Sequence, residues 1–201
     1  SAIKILQAIP FIKSKAHKKY KLTEKEIAIS CSSHCGEDIH IKVLESWIKK
    51  IRINKKLLRC GIHKPLNNKY SDKLLLSKNK PNELHNNCSG KHLGMISGCM
   101  GKEIEIGDYT KMNHPFQKLI RSSLEYFTEN KIYKIQKGID GCSAPQYAFP
   151  LKNLSIAMIN LLKNFHESKL FSEEVKTLLK AIAKYPELTG SKNIYPSQLI
   201  K

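Results

Sequence analysis

The sequence predicts a single, mostly helical domain with little sheet inside the chain, and three observations carry that expectation. Apolar residues recur at helical spacing in Val43, Leu44, Trp47, Ile48 and Ile51, and again in Phe116, Leu119, Ile120, Leu124 and Phe127. Two further stripes follow, Leu151, Leu154, Met158, Leu161, Leu162 and Phe165, then Val175, Leu178, Leu179 and Ile182. Strand candidates are few and short, at 132–135 and 103–106. No repeat, low-complexity linker or shift of composition divides the 201 residues, a length that suits one core. Either the protein is mostly α, or the main strands of its sheet lie outside this chain.

The ends of the helices are marked as well. Thr23-Glu24-Lys25-Glu26 is a capping box and opens a short helix running to about Ser30. Gly36 is placed to take a positive φ in the small and polar stretch that ends it. Pro115 suits a first helical turn, and Ser172, followed by Glu173 and Glu174, suits an N-cap.

The formal charge is +18, which invites a nucleic-acid reading. The basic residues, however, are almost all lysines; the arginines are Arg52, Arg59 and Arg121. Phosphate and guanine are read bidentately by Arg, so a solvated lysine surface is expected and no nucleic-acid partner. Six cysteines at irregular spacing make no disulfide framework and no CxxC zinc ribbon, which points to a reducing, cytoplasmic setting. No apolar run approaches the ~18 residues that span a bilayer. The opening Ser-Ala-Ile-Lys-Ile-Leu-Gln has neither the flank nor the cleavage site of a signal peptide, and no initiator Met. The true N-terminus is therefore expected to be missing, and no membrane partner is expected.

Four stretches carry chemistry. Ser1-Ala2-Ile3-Lys4 is an S-x-x-K motif; on a helix, positions i and i+3 share a face, and a desolvated Lys can act as base toward the hydroxyl. A free N-terminal Ser whose own α-amine is the base is the alternative. In residues 31–37, Ser33 and His34 either contact substrate or cap the helix before them. In His85-Asn86-Asn87-Cys88-Ser89-Gly90-Lys91-His92, a polar run leads into a helix whose Gly94, Ser97 and Gly98 permit close approach of backbone or ligand. Cys88, Lys91 and His92 can face one point there. In Gly138-Ile139-Asp140-Gly141-Cys142, Asp140 can hold a substrate ammonium, and Cys142 is a metal ligand or a packed thiol. Cys60 and Cys99 are read as packed thiols.

Taken together these segments resemble a known family. S-A-I-K-x-L-Q, C-S-S-H-x-G-E, the Cys60-Gly61-x-His63-x-Pro65 turn, H-N-N-C-S-G-K-H-x-G-M, Tyr109 with His114-Pro115-x-Gln117, I-D-G-C-x-x-P and the Tyr185–Gly190 tail are similar to the bacterial L-asparaginase II family, the rhizobial type. The resemblance implies an α+β fold like the serine β-lactamases and glutaminases, an antiparallel sheet flanked by helices, of which this chain is the mostly helical part. Residues 1–201 would then be one catalytic domain truncated at both ends, usually found as a homodimer. It implies Ser1, Lys4 and Ser33 as catalytic residues, with His92 and Asp140 binding substrate. Cys88, Lys91 and Cys142 would be a zinc triad beside the pocket, Lys91 as a neutral amine, and no organic cofactor is implied. The family's Arg before the first Ser, and the Lys that partners the second, fall outside the chain, and Ser143 stands where Gly is common.

The function so implied is hydrolysis of L-asparagine to L-aspartate and ammonia through an acyl-enzyme. A related S-x-x-K hydrolase, glutaminase or β-lactamase-like, is the nearest alternative; a basic nucleic-acid module is the alternative from another class. Without its ends, the chain as it stands is expected to be inactive.

Overall fold

The computed structural model describes residues 3–133 and 137–190. In chain order these form α1 (Lys4–Lys13), α2 (Ala16–Lys19), α3 (Glu24–Ser30), α4 (Asp38–Ile51), α5 (Asn68–Leu76), α6 (Ser89–Gly101), α7 (Pro115–Thr128), β1 (Lys137–Ile139), β2 (Pro145–Tyr147), α8 (Leu151–His166) and α9 (Ser172–Lys184). Short 3-10 turns occupy Lys55–Leu57, Glu83–His85 and Pro186–Thr189.

Two helices run through the core. In α1, Leu6, Ile9, Phe11 and Ile12 are buried along with Lys4 and Gln7, and the helix packs on α6, α7 and α9. In α6 every residue from Ser89 to Cys99 is buried, and α1, α3, α4 and α7 surround it. A helix enclosed on all sides needs small residues where neighbours cross it closely. A Cβ on Gly90 would sit 2.2 Å from the Ile29 carbonyl oxygen of α3, and one on Gly98 would sit 2.1 Å from Cζ of Phe116 on α7. The small residues of α6 therefore serve helix packing.

The expected capping box forms at Thr23: its N–H donates to Glu26 Oε2 at 2.7 Å. The other Glu26 oxygen receives Lys50 Nζ at 2.6 Å and Ser46 Oγ at 3.2 Å, tying α3 to α4. Along α4, Trp47 stacks on Phe11 with centroids 5.4 Å apart, and its Nε1 donates to Ser97 Oγ at 2.9 Å. Pro115 opens α7 as expected. The apolar stripes of α7 and α9 bury Phe127 and Val175, and Phe171 between α8 and α9 meets Phe127 at 5.6 Å.

Three local expectations change. Ser172 is the first residue of α9 and not its cap; its Oγ accepts from Lys169 N–H and donates to the Glu167 carbonyl, both at 2.6 Å, closing the preceding loop. Residues 104–106 form no strand, because Glu103 turns into the left-handed region (φ 56°) as α6 ends, and Ile104 and Ile106 pack singly on the core. Residues 132–133 are irregular too, and 134–135 lie outside the described residues. The strands instead lie on either side of Asp140–Ala144: β1 and β2 pair antiparallel, Lys137 opposite Tyr147 and Ile139 opposite Pro145. The described chain is thus mostly helical with a two-stranded sheet, consistent with an α+β fold. Among the described residues, no helix is long and apolar enough to cross a membrane.

The close approach of α7 to α6 generates a test. Gly98→Ala is expected to destabilise the protein by about 1–3 kcal/mol, since a rigid aromatic ring must move. Phe116→Leu in the same chain should recover part of that loss. Urea unfolding reads both, and a Gly98→Ala protein as stable as the parent contradicts the packing.

Candidate functional site

Among the described lysines, the buried ones are Lys4 and Lys91, 3% and 5% exposed; the others reach solvent in whole or part. Burying an ammonium is costly unless partners compensate, so these two positions ask for an explanation.

Lys4 opens α1 and faces the loop that follows α3. Its Nζ lies 2.6 Å from Ser33 Oγ, meets the Ser32 carbonyl, and reaches Cys88 Sγ at 3.4 Å. These three contacts match the three protons of an ammonium. Burial lowers the Lys4 pKa below the ordinary lysine value; Cys88 opposes that shift and Lys91 adds to it. The neutral amine is thus within reach, and its lone pair would face the Ser33 hydroxyl. Ser1 lies outside the described residues, so the pair brought into contact is Lys4 with Ser33, 29 positions apart. The Ser33 loop is held from behind by the end of the described chain, where Ser33 N–H donates to the Thr189 carbonyl at 3.4 Å and Cys35 N–H to that of Gly190 at 3.2 Å. Gly36 takes the expected left-handed conformation, φ 71°, packed against Pro65.

The second lysine belongs to a sulfur and carboxylate cluster. Lys91 Nζ is 3.2 Å from Cys142 Sγ and 3.5 Å from Asp140 Oδ2, and Cys142 Sγ approaches the same carboxylate at 3.3 Å. Burial pulls Lys91 down, but Cys88, Cys142 and Asp140 outweigh it and the net shift is upward. Cys88 is held below the usual thiol range by a hydrogen bond with Cys142 and by the charges of Lys91 and Lys4, against burial. The Asp140 carboxyl is also lowered: burial opposes ionisation, and Lys91 and the Cys142 thiol overcome it. Cys60 and Cys99, by contrast, are pushed up to about 12 by burial, as packed thiols should be, and all six cysteines are free.

Local structure aims these groups. Asn86 Oδ1 accepts from Cys88 N–H at 2.9 Å while its Nδ2 donates to the Cys60 carbonyl at 2.7 Å, so the polar run before α6 is an anchored turn. Asn87 N–H donates to His63 Nε2 at 3.1 Å, which joins the 60–65 turn to the same wall. Asp140 and Cys142 sit on the turn between β1 and β2, closed by Asp140 N–H on the Ala144 carbonyl at 2.9 Å. Ser143, where Gly is common in the resembled family, has φ 65°, the conformation that favours Gly.

Cys88, Asp140 and Cys142 offer ligand atoms within 4.8 Å of one another. Ligands on a tetrahedral zinc with bonds of about 2.3 Å stand roughly 3.8 Å apart, so two thiolates with a third donor from Lys91 or Asp140 suit that ion. His92 is fully buried: its Nδ1 is 2.7 Å from Tyr109 Oη, and its Nε2 has no hydrogen-bond partner of good geometry. Burial takes its pKa down to about 3. Tyr109 is the residue whose place the sequence left without a role.

A Ser–His pair also occurs, but it faces the wrong way for nucleophilic catalysis. His34 Nε2 is 2.8 Å from Ser89 Oγ, and Gly36 N–H donates to His34 Nδ1 at 3.2 Å. The neutral ring therefore carries its proton on Nε2 and donates to Ser89, which donates to the Leu84 carbonyl at 3.1 Å. His34 is fully buried and stacks on His40 at 5.1 Å. It is a structural residue and not a substrate contact.

These histidines predict acid sensitivity. Burial lowers the pKa of His34, His40 and His85, and takes His17 to about 4. Each stays neutral in the folded chain while its unfolded form takes up a proton near pH 6.5. Stability is therefore complete above that pH and falls as pH drops below it, by at most roughly 1.4 kcal/mol per pH unit for each such histidine. Urea midpoints measured from pH 7.5 to 5 should decline; a flat profile contradicts the burial of neutral imidazoles.

No curated protein matches the chain significantly. The family model for L-asparaginase II matches residues 1–201, the whole length, and so takes in the buried lysines, the cysteine cluster and the turn that closes on them. The chain belongs to the L-asparaginase II family, and with it to the amidohydrolases acting on small molecules.

Proposed function

We propose that this protein hydrolyses L-asparagine to L-aspartate and ammonia through an acyl-enzyme on Ser33, with Lys4 as the base. The observation that carries the reading is the 2.6 Å contact between Lys4 Nζ and Ser33 Oγ, made by a lysine whose pKa burial has lowered. Neutral Lys4 takes the Ser33 proton as Oγ bonds to the side-chain amide carbon. The tetrahedral intermediate breaks its C–N bond, and the Lys4 ammonium returns the proton to the departing nitrogen as ammonia. Lys4 then deprotonates a water that attacks the ester, and Ser33 recovers its proton as aspartate leaves. Ser1 of the S-x-x-K motif, which lies outside the described residues, is the second hydroxyl we assign to catalysis.

Asp140 is suited to the substrate α-ammonium, being ionised and partly open to solvent. His92 supports binding from the first turn of α6. A zinc ion would be held by Cys88, Cys142 and Lys91, which fit it in donor type and spacing. When bound, it would supply a fixed positive charge beside Lys4, favouring the neutral amine further. Lys91 must then be deprotonated, which releases Asp140 from its ion pair and leaves it for the substrate. We further place the domain in the serine β-lactamase-like fold, as a homodimer in the cytoplasm.

Ammonia release from L-asparagine tests this. Ser33→Ala and Lys4→Met should each lower kcat by about 10²–10⁴-fold. Full turnover by Lys4→Met would sink the mechanism. L-Glutamine hydrolysed as well as L-asparagine would move the assignment to a glutaminase, since one methylene is worth only ~1–3 kcal/mol of discrimination.

A further inference from the structure

Tyr109 lies in the loop before α7, is completely buried, and has its hydroxyl fully committed. The Arg59 backbone N–H donates to Tyr109 Oη at 2.8 Å. The other partner of that oxygen is His92 Nδ1 at 2.7 Å. A phenol has one proton, and with an N–H already donating to the oxygen, that proton is left to go to His92 Nδ1. The His92 proton must then sit on Nε2.

Nε2 is the atom left without a partner of good geometry inside the protein. A buried orphan donor calls for a reason. His92 lies beside Lys91 in the first turn of α6, the helix that Cys88 caps.

We infer that Tyr109 is a positioning residue: it locks His92 in the Nε2–H tautomer and ties the first turn of α6, which carries Lys91 and is capped by Cys88, to the Arg59 backbone. The relay runs from Arg59 N–H to Tyr109 and from Tyr109 to His92. It needs no change of charge on the ring. This inference rests on the proposed zinc site for its consequence, but the tautomer itself does not.

Two measurements decide it. Long-range proton–nitrogen correlation spectra of the ¹⁵N-histidine-labelled protein report the tautomer of each imidazole, with His92→Gln supplying the assignment. The expected result is His92 with Nε2 protonated and Nδ1 bare, shifting toward the Nδ1–H form in Tyr109→Phe. Zinc affinity, read by chelator competition, should fall about 10-fold in Tyr109→Phe, within the range typical of groups that orient metal ligands. His92→Gln removes the ring that Tyr109 holds. In that background Tyr109→Phe should cost nothing more, because the two residues act in series. A wild-type spectrum with Nδ1 protonated overturns the inference, and decides it even where Tyr109→Phe does not fold. Equal losses of zinc affinity from Tyr109→Phe in both backgrounds overturn it as well. Absence of zinc binding by the wild type would remove the proposed metal site and leave the tautomer spectrum to judge this relay alone.

Discussion

Two lysine side chains are buried in one site, and the rest of the site follows from what that requires. The charge of Lys91 works against a charge on Lys4, and neither side chain has water to screen it. The compensation is anionic or polarizable: Cys88 between them, then Cys142 and Asp140 on the Lys91 side. Because the compensation is unequal, so is the outcome. Lys91 has Cys88, Cys142 and Asp140 and its pKa rises; Lys4 has Cys88 in contact and Cys142 acting more weakly, and its pKa falls. One burial cost thus separates two chemically identical side chains into one whose charge is favoured and one that is a candidate base. Opposed environments for like groups are how acid and base roles are divided in active sites generally.

The scaffold answers to the same constraint. Charges can be held this close only if the elements carrying them do not give way, and most of these groups stand on or beside enclosed helices. Cys88 is the N-cap of α6, Lys91 and His92 lie in its first turn, and Lys4 opens α1. The glycines of α6 matter for this reason, since they let α3 and α7 close on the helix and leave no room for it to shift. Asp140 and Cys142 are the exception, being set on a turn between two three-residue strands. That turn carries a non-glycine residue in the left-handed region at Ser143.

The large positive charge of the chain belongs to a different physical problem. Outside the site, the described lysines lie in solvent on helix after helix, from α2 to α9, and several pair with exposed carboxylates such as Asp38, Asp108 and Glu167. Exposed pairs of this kind contribute little to stability. What distinguishes the chemically relevant lysines is their burial, which composition cannot express.

The sequence by itself determined the helices with a clear apolar stripe, the starts of α3 and α7, and the stretches in which chemistry would be found. Trp47, Phe127 and Val175 recur with the period of a helix face, Thr23 and Glu26 stand at the spacing of a capping box, and Pro115 fits only a first turn; each is a local rule acting within one or two turns of chain. The polar run from His85 to His92 and the glycine-flanked Asp140 were legible for the same reason, because nothing apolar competes for them. Only the tertiary structure decided which of these groups meet. Lys4 finds Ser33 across 29 positions and Lys91 finds Cys142 across 51, and no period links such partners. The strands flanking Asp140 escaped notice because three residues are too few to show alternation. The direction of the hydrogen bonds at His34 and His92 was hidden as well. A backbone N–H from Gly36 and a phenol from Tyr109 set the two tautomers, and these donors reach the rings only once the chain has folded around them.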